Sequence, residues 1–179
     1  LVAHWQDDPA LMLALQALPD TLQQASTCDW SAAIDVLAPA RAIMVVGRGI
    51  SFPVALEAAL KFKETSALQA EAFSGAEIKH GPMALIEEGY PLLILATRGP
   101  AQGSLLNLAA EMRQRGARVL LAAPADVVGR ELTLPVAPTP DLDPIVAIQV
   151  FYMMAARLAE ARGLDPDKPR HLSKVTRTS

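Results

Sequence analysis

The amino-acid sequence predicts an α/β fold with three layers (α/β/α), in which an open, mostly parallel sheet carries helices on both faces. Short apolar runs recur along the chain with helix-like patterns between them, as expected of parallel strands joined by crossover helices. Apolar residues make up 51% of the chain and aromatic residues only 4%, which favours close packing of helices on a sheet over a β-sandwich. With 179 residues the chain is long enough for one such domain and a helical appendage.

The helical appendage is predicted for residues 1–38. Asp8 can cap a helix, and Pro9 suits the first helical position. Leucines then recur at helical spacing up to Pro19, where we expect the helix to break and restart. Asp29 can cap a further short helix. Because the chain begins with leucine and not with methionine, we expect this segment to be the linker from an upstream domain.

The predicted sheet domain spans residues 39–163. Continuous apolar runs, typical of strands buried on both faces, lie at 42–46, 92–96, 119–122 and, more weakly, 132–136. Helical patterns cover 52–68, the stretch before Gly116, and 142–162, which ends at Gly163. The remaining residues, 164–179, are charged and contain prolines, which is typical of a loose tail.

Charge and composition exclude several classes of function. The net charge of −3 argues against binding to nucleic acid or to an anionic membrane. The single cysteine, Cys28, leaves no disulfide framework and indicates a reducing compartment, so we expect a cytoplasmic protein. The sequence suggests no apolar run approaching the roughly 18–20 residues of a membrane span. His4, His80 and His171 are scattered, so we expect no metal site, and no cofactor is implied.

The turn Gly47-Arg48-Gly49-Ile50-Ser51 lies between the first predicted strand and the helix after it. Ligands of parallel α/β sheets bind at the carboxyl ends of strands, where N–H groups at a helix start can hold an anion. The turn is not a dinucleotide motif, because Phe52 stands where G-x-G-x-x-G requires its third glycine. A phosphate cradle and a tight turn that merely needs glycine are both consistent with this sequence.

Three charged residues fall on one face of the helix that follows this turn. Glu57, Lys61 and Glu64 are separated by four and three positions. Such a stripe can be an exposed salt-bridge ladder, or it can hold a carboxylate base beside a cation, which suits proton abstraction next to a carbonyl. His80 lies in a polar segment closed by Gly-Pro, and it can be structural or can transfer a proton near neutral pH. Lys174, taken alone, is an ordinary tail lysine.

Together these segments resemble the second SIS (sugar isomerase) domain in the isomerase part of glucosamine-6-phosphate synthases and their relatives. The resemblance covers roughly residues 41–176, and its specific parts are Leu-Lys-Phe-Lys-Glu, ending at Glu64, and Lys-His-Gly-Pro, around His80. It also includes the Gly-Arg-Gly turn and the tail Pro169-Arg-His-Leu-Ser-Lys174. The resemblance implies a flavodoxin- or Rossmann-like sheet and an enzyme that interconverts an aldose and a ketose.

By this resemblance Glu64 is the base that moves a proton between C1 and C2 of an open-chain sugar. His80 assists ring opening, often from across a subunit interface, and Lys174 contacts the ketose carbonyl. Glu57 and Lys61 support this site. The turn residues Gly47, Arg48, Gly49 and Ser51 are assigned to substrate binding or to its support.

The resemblance implies isomerisation of a hexose 6-phosphate, coupled to gain or loss of an amino group between fructose-6-phosphate and glucosamine-6-phosphate. The direct junction of Lys174 with Val175-Thr176 resembles the glutaminase-free deaminases more than the synthases, which need an upstream glutaminase domain. The alternative is a non-catalytic SIS module of a regulator, which binds a sugar phosphate or dimerises.

Two partners follow from the resemblance in addition to the sugar phosphate. SIS enzymes place their active sites at domain and subunit junctions, so we expect a homo-oligomer, at least a dimer. The Ser/Thr-rich phosphate loop of the family lies in the first SIS domain, and this sequence has no Ser-x-Ser-Gly-x-Thr segment. We therefore expect an upstream SIS domain in the same protein, and poor activity of this segment on its own.

Overall fold

The computed structural model describes residues 1–170, and it begins with three helices. These are α1 (Val2–Trp5), α2 (Pro9–Ala25) and α3 (Ser31–Leu37). Asp8 caps α2 as predicted, since one of its carboxylate oxygens accepts from the N–H groups of Ala10 and Leu11.

The predicted break at Pro19 is wrong, because α2 continues through this residue. Proline in a helix interior removes one backbone hydrogen bond and costs about 3 kcal/mol. Ala14, Leu18 and Ala25 of this helix are buried on both sides of the proline in sequence. Their burial in the core offsets the loss and keeps the two halves of the helix continuous.

Within the described residues, five strands form one fully parallel sheet, which confirms the predicted α/β architecture. They are β1 (Ala42–Gly47), β2 (Gln69–Ser74), β3 (Pro91–Leu95), β4 (Arg118–Pro124) and β5 (Leu132–Leu134). Their order is β2-β1-β3-β4-β5, so the chain moves outward from β1 to β2 and then returns to β3 on the other side of β1. This reversal leaves a crevice between the carboxyl ends of β1 and β3, where open α/β sheets bind ligands.

Strand β2 has no counterpart among the predicted apolar runs. It is an edge strand that pairs only with β1 in the sheet, and Ala70 is its one buried residue. A strand exposed in this way does not need the continuous apolar run that marks a strand buried on both faces.

Three long helices cover the two faces of the sheet. They are α4 (Phe52–Ser66), α5 (Gln102–Gln114) and α6 (Asp143–Ala161). Helices α4 and α6 pack with α2 and α3 against the face that carries Ile43 and Val45. Helix α5 packs against the opposite face, which carries Met44 and Val46. The two cores arise because successive side chains of a strand point to opposite faces.

Shorter 3₁₀ segments complete the structure. They lie at Gly49–Ser51, Glu77–Lys79, Pro82–Leu85 and Pro140–Leu142.

Helix α6 corrects the expectation about apolar runs. The segment Pro140–Ala161 is long and apolar enough to span a membrane by length and composition, with a mean hydropathy of 1.4. Its residues Val150, Phe151 and Leu158 are fully buried in the protein core. The apolar composition of α6 is explained by this burial, because the helix packs in the core on one face of the sheet together with α2 and α3.

Close packing at Gly47 fixes the end of β1 against the start of α4. A Cβ atom added at Gly47 would lie 2.5 Å from the carbonyl oxygen of Ser51. Gly47→Ala is therefore expected to lower the free energy of unfolding by about 1–3 kcal/mol, as overpacking against backbone does. Urea unfolding followed by circular dichroism measures this change.

The matched control is Gly103→Ala in α5, where an added Cβ meets nothing within 4 Å. In this control the free energy of unfolding is expected to rise by up to about 1 kcal/mol, because alanine has a higher helix propensity than glycine. A Gly47→Ala variant as stable as the wild type would contradict the steric argument.

Candidate functional site

Helix α4 places three charged side chains on one face, as their spacing predicts. The Lys61 ammonium donates to Glu64 Oε2 at 2.6 Å and lies 3.7 Å from Glu57 Oε1. All three side chains are about one-third exposed, at 34% for Glu57, 30% for Lys61 and 28% for Glu64. The hydrogen bond to Glu64 raises the pKa of Lys61, so this ammonium stays charged at and above neutral pH.

Tyr152 is a member of this cluster that the sequence patterns did not indicate. Its hydroxyl donates to Glu57 Oε1 at 2.9 Å from the neighbouring helix α6. Burial first, and then this hydrogen bond, raise the pKa of Tyr152, so the phenol stays protonated. Glu57 is thus held by a phenol and a cation. Glu64 differs, because its Oε1 has no hydrogen-bond partner within residues 1–170.

A cavity opens beside Glu64 at the amino edge of the sheet. It is lined by the end of α4, including Lys63 and Glu64, and by residues between Gly163 and Arg170, with a volume of about 200 Å³. The tail that forms one wall is the segment that leads to Lys174. Lys174 itself, and His171, lie outside the described residues.

The structure does not bring His80 together with Glu64. His80 follows the 3₁₀ segment Glu77–Lys79 and is exposed. Ile78 anchors this segment in the core on the α5 face, and Lys79 forms an ion pair with Glu111 of α5. Glu64 belongs to the helix layer on the other face of the sheet. The two predicted catalytic groups of one chain therefore do not share the Glu64 cavity.

The Gly47–Ser51 turn lies at the opposite edge of the sheet, in the crevice between β1 and β3. The Ser51 hydroxyl is buried, and it bonds both the N–H and the carbonyl oxygen of Arg48, so it holds the turn. The exposed Arg48 side chain forms no ion pair with another described residue and lines a cavity of about 300 Å³ with Gly49 and Thr97.

Thr97 is a polar residue of this second cavity that sequence patterns did not single out. It is only 4% exposed and lines this cavity. The neighbouring Arg98 already pairs with the Asp143 carboxylate at 2.7 Å. Arg48, which has no ion-pair partner among the described residues, is thus a cation of this cavity that can bind an anion.

The two cavities are far apart in one chain. Glu64 lies thirteen positions after Ser51, which corresponds to about 20 Å along α4. A molecule as small as a hexose phosphate in the Arg48 cavity would not reach the Glu64 carboxylate. A site that combines a phosphate cradle with Glu64 must therefore take one of these parts from another domain or another copy.

Comparison with known proteins agrees with this architecture. Residues 36–157 match the family model described as SIS domain. A glutamine–fructose-6-phosphate aminotransferase (isomerizing) of Zymomonas mobilis is 35% identical, with 97% of this chain and 28% of that protein covered. The enzyme of the same name from Aeropyrum pernix is 39% identical, with 90% and 27% covered. The chain thus spans a little over a quarter of the length of these relatives.

Solved structures show the same fold. A Silicibacter pomeroyi protein named as a candidate phosphosugar isomerase superposes with a TM-score of 0.84 at 38% identity, covering 93% of this chain and 51% of its own. Glucosamine-6-phosphate deaminase of Thermotoga maritima superposes with a TM-score of 0.66 at 27% identity, with 90% and 47% covered. This chain corresponds to about half of each of these structures.

Proposed function

The chain belongs to the SIS domain family, and from that premise we propose that it is the half of a phosphosugar isomerase that supplies the proton-transferring carboxylate. The proposed reaction interconverts the aldose and ketose forms of a hexose 6-phosphate, coupled to gain or loss of an amino group. One observation carries this proposal. The Glu64 carboxylate is held by Lys61 through one oxygen, while its other oxygen has no hydrogen-bond partner among residues 1–170, and the side chain lines a cavity.

The proposed chemistry needs one base that works on both carbons. With open-chain glucosamine-6-phosphate, Glu64 takes the C2 proton, and the C–H electron pair forms the C1–C2 double bond of an enolamine. At the same time the π bond between C1 and its oxygen breaks, and this oxygen takes up a proton. The same carboxyl group returns the first proton to C1 while the nitrogen lone pair forms the C2–N double bond, which gives the protonated imine of fructose-6-phosphate. Water then hydrolyses this imine to the ketose and ammonia, and the reverse sequence would build the amino sugar. A positioned carboxylate contributes about 10²–10⁴-fold to such a transfer.

Completion of the site requires groups from outside this domain. Glu64 and His80 of one chain lie on opposite faces of the sheet, and the Arg48 cavity lies at the far end of α4. We therefore propose that His80 acts from a second copy in a homo-oligomer, and that an upstream SIS domain supplies the main phosphate site. Lys174 is proposed to reach the sugar carbonyl from the tail that lines the Glu64 cavity. A cytoplasmic location stays a prediction.

Release of ammonia separates the two directions of the proposed reaction. Both an aminotransferase and a deaminase occur among the relatives with more than 25% identity. Ammonia formed from glucosamine-6-phosphate without glutamine would favour a deaminase, and glutamine-dependent formation of the amino sugar would favour a synthase. Exchange of the sugar C2 proton with solvent deuterium tests the step that both share.

The role of Lys61 gives a prediction for the pH dependence of this exchange. The Lys61 ammonium donates to Glu64 Oε2 at 2.6 Å and so orients the carboxylate that acts as base. The hydrogen bond to Glu64 raises the pKa of Lys61, so this support is present across neutral pH and disappears only when alkali deprotonates Lys61. Lys61→Met is therefore expected to lower the exchange rate about 10-fold at neutral pH and to remove the fall in rate that deprotonation of Lys61 causes in the wild type at alkaline pH.

Lys63→Met is the matched control for this variant. Lys63 lines the same cavity, but it is exposed and forms no ion pair with another described residue. Its pH profile should superpose on that of the wild type. A Lys61→Met variant that exchanges the sugar proton at the wild-type rate from neutral to alkaline pH would show that the ion pair does not support the base.

A further inference from the structure

The side chain of Arg162 connects the two walls of the Glu64 cavity. Arg162 follows the last residue of α6 and lies directly before the tail residues Gly163, Leu164 and Asp165. Its Nε donates to the carbonyl oxygen of Ser66 at 2.6 Å, two residues beyond Glu64. The guanidinium thus connects the wall formed by residues 163–170 to the end of α4, which forms the other wall.

The same guanidinium also holds the end of α3. Arg162 Nη1 donates to the carbonyl oxygens of Leu37, Ala38 and Ala40 at 3.1, 2.8 and 2.9 Å. The last carbonyl groups of a helix have no partner inside the helix and carry partial negative charge, so a cation is favourable there. Arg162 has no carboxylate partner among the described residues, so these carbonyl dipoles stabilise its charge.

The chain forms a tight turn directly after each of the two helices that Arg162 connects, α4 and α6. Helix α4 is followed by Ala67, which adopts a left-handed conformation (φ 47°), and Leu68 N–H donates to the carbonyl oxygen of Phe62 at 3.1 Å. On the other side Gly163 is also left-handed (φ 71°), and Leu164 N–H bonds to the carbonyl oxygen of Ala159 at 2.9 Å. Each helix end is closed by its own turn, and Arg162 is the side chain that joins the two ends.

We propose that Arg162 is a positioning residue, which fixes the distance between the Glu64 carboxylate and the cavity wall formed by residues 163–170. This inference rests on the proposed function, because it assigns Arg162 a part in placing the proposed base against a substrate held between the two walls. The planar guanidinium bonds the ends of α3 and α4 at once, whereas a lysine ammonium is a single point of contact. Misplacement by about 1 Å can reduce turnover as much as 10²-fold.

The test compares Arg162→Met and Arg162→Lys with Arg157→Met, in the full-length protein at a temperature where all variants are folded. Arg157 lies on the same helix, is exposed and forms no hydrogen bond or ion pair with another described residue. Arg162→Met is expected to lower kcat about 10- to 100-fold with KM changed less than about threefold. Arg162→Lys should recover only part of this loss, and Arg157→Met should behave as the wild type.

Amide hydrogen exchange provides a readout that does not depend on activity. In Arg162→Met, exchange is expected to accelerate both around residues 64–68 and around 163–168, with little change in α5. Wild-type kcat per folded molecule, or acceleration confined to one wall, would overturn the positioning role. If the wild type exchanges no sugar proton at all, the proposed function fails, while the amide exchange still decides whether Arg162 joins the two walls.

Discussion

Glu64→Gln is expected to lower the exchange of the C2 proton of glucosamine-6-phosphate with solvent deuterium by at least 100-fold. Glutamine keeps the size of the side chain and can still accept from Lys61, but it cannot take up a proton at neutral pH. Binding of the sugar phosphate should change little, because the carboxylate acts on the proton and not on the phosphate. The experiment follows deuterium incorporation by NMR in the full-length protein, with binding measured separately by calorimetry.

Glu87→Gln is the matched control for the loss of one carboxylate. Glu87 is exposed, and it lies between the 3₁₀ segment Pro82–Leu85 and β3, away from the Glu64 cavity. This control should exchange deuterium at the wild-type rate. Equal exchange by Glu64→Gln and wild type would remove Glu64 as the base. A wild type that binds sugar phosphate but never exchanges its proton would instead identify a binding module.

Asp143→Ala is expected to lower the free energy of unfolding by about 3 kcal/mol, because it leaves one partner of a buried ion pair without the other. The Asp143 side chain is 4% exposed, and its two oxygens accept from Arg98 Nε at 2.9 Å and Nη2 at 2.7 Å. They also accept from the N–H groups of Arg98 and Ala137. Removal of one partner of a buried ion pair costs about 3–5 kcal/mol. We expect the lower value here because the Arg98 side chain, which is 31% exposed, can be solvated after its partner is lost.

Urea unfolding of Asp143→Ala beside Asp165→Ala tests this prediction. Asp165 also pairs with a cation, Lys168, but both side chains are well exposed, at 52% and 84%. Removal of such a surface pair should change stability by less than about 1 kcal/mol. Similar stabilities of the two variants would mean that burial of Asp143 contributes nothing beyond a surface contact.

The sequence predicts the central strands and long helices of this fold because their signals are local. Strands such as β1 and β3 are buried on both faces and therefore appear as continuous apolar runs. The edge strand β2 and the uninterrupted helix at Pro19 could not be predicted in this way. In both cases the neighbours in space decide the structure, and these neighbours are distant in sequence.

In the candidate site, too, contacts between residues close in sequence were predictable and contacts between distant residues were not. Spacing alone brings Glu57, Lys61 and Glu64 together, because a helix has a fixed period. Tyr152 reaches Glu57 from a residue 95 positions away, and Arg162 reaches Ser66 across 96 positions. No local pattern marks such residues, since their partners are defined only once α4 and α6 have packed. The separation of His80 from Glu64 likewise depends on which face of the sheet each segment covers.

The two indole rings of this protein will report on different events when it unfolds. Trp30 is buried, and its Nε1 donates to the carbonyl oxygen of Thr133 at 2.9 Å, whereas Trp5 is 89% exposed. The blue-shifted part of the intrinsic fluorescence therefore comes from the contact between the amino-terminal helices and β5. Its shift to longer wavelength will mark the opening of this contact, because the emission of the already exposed Trp5 should change little in wavelength.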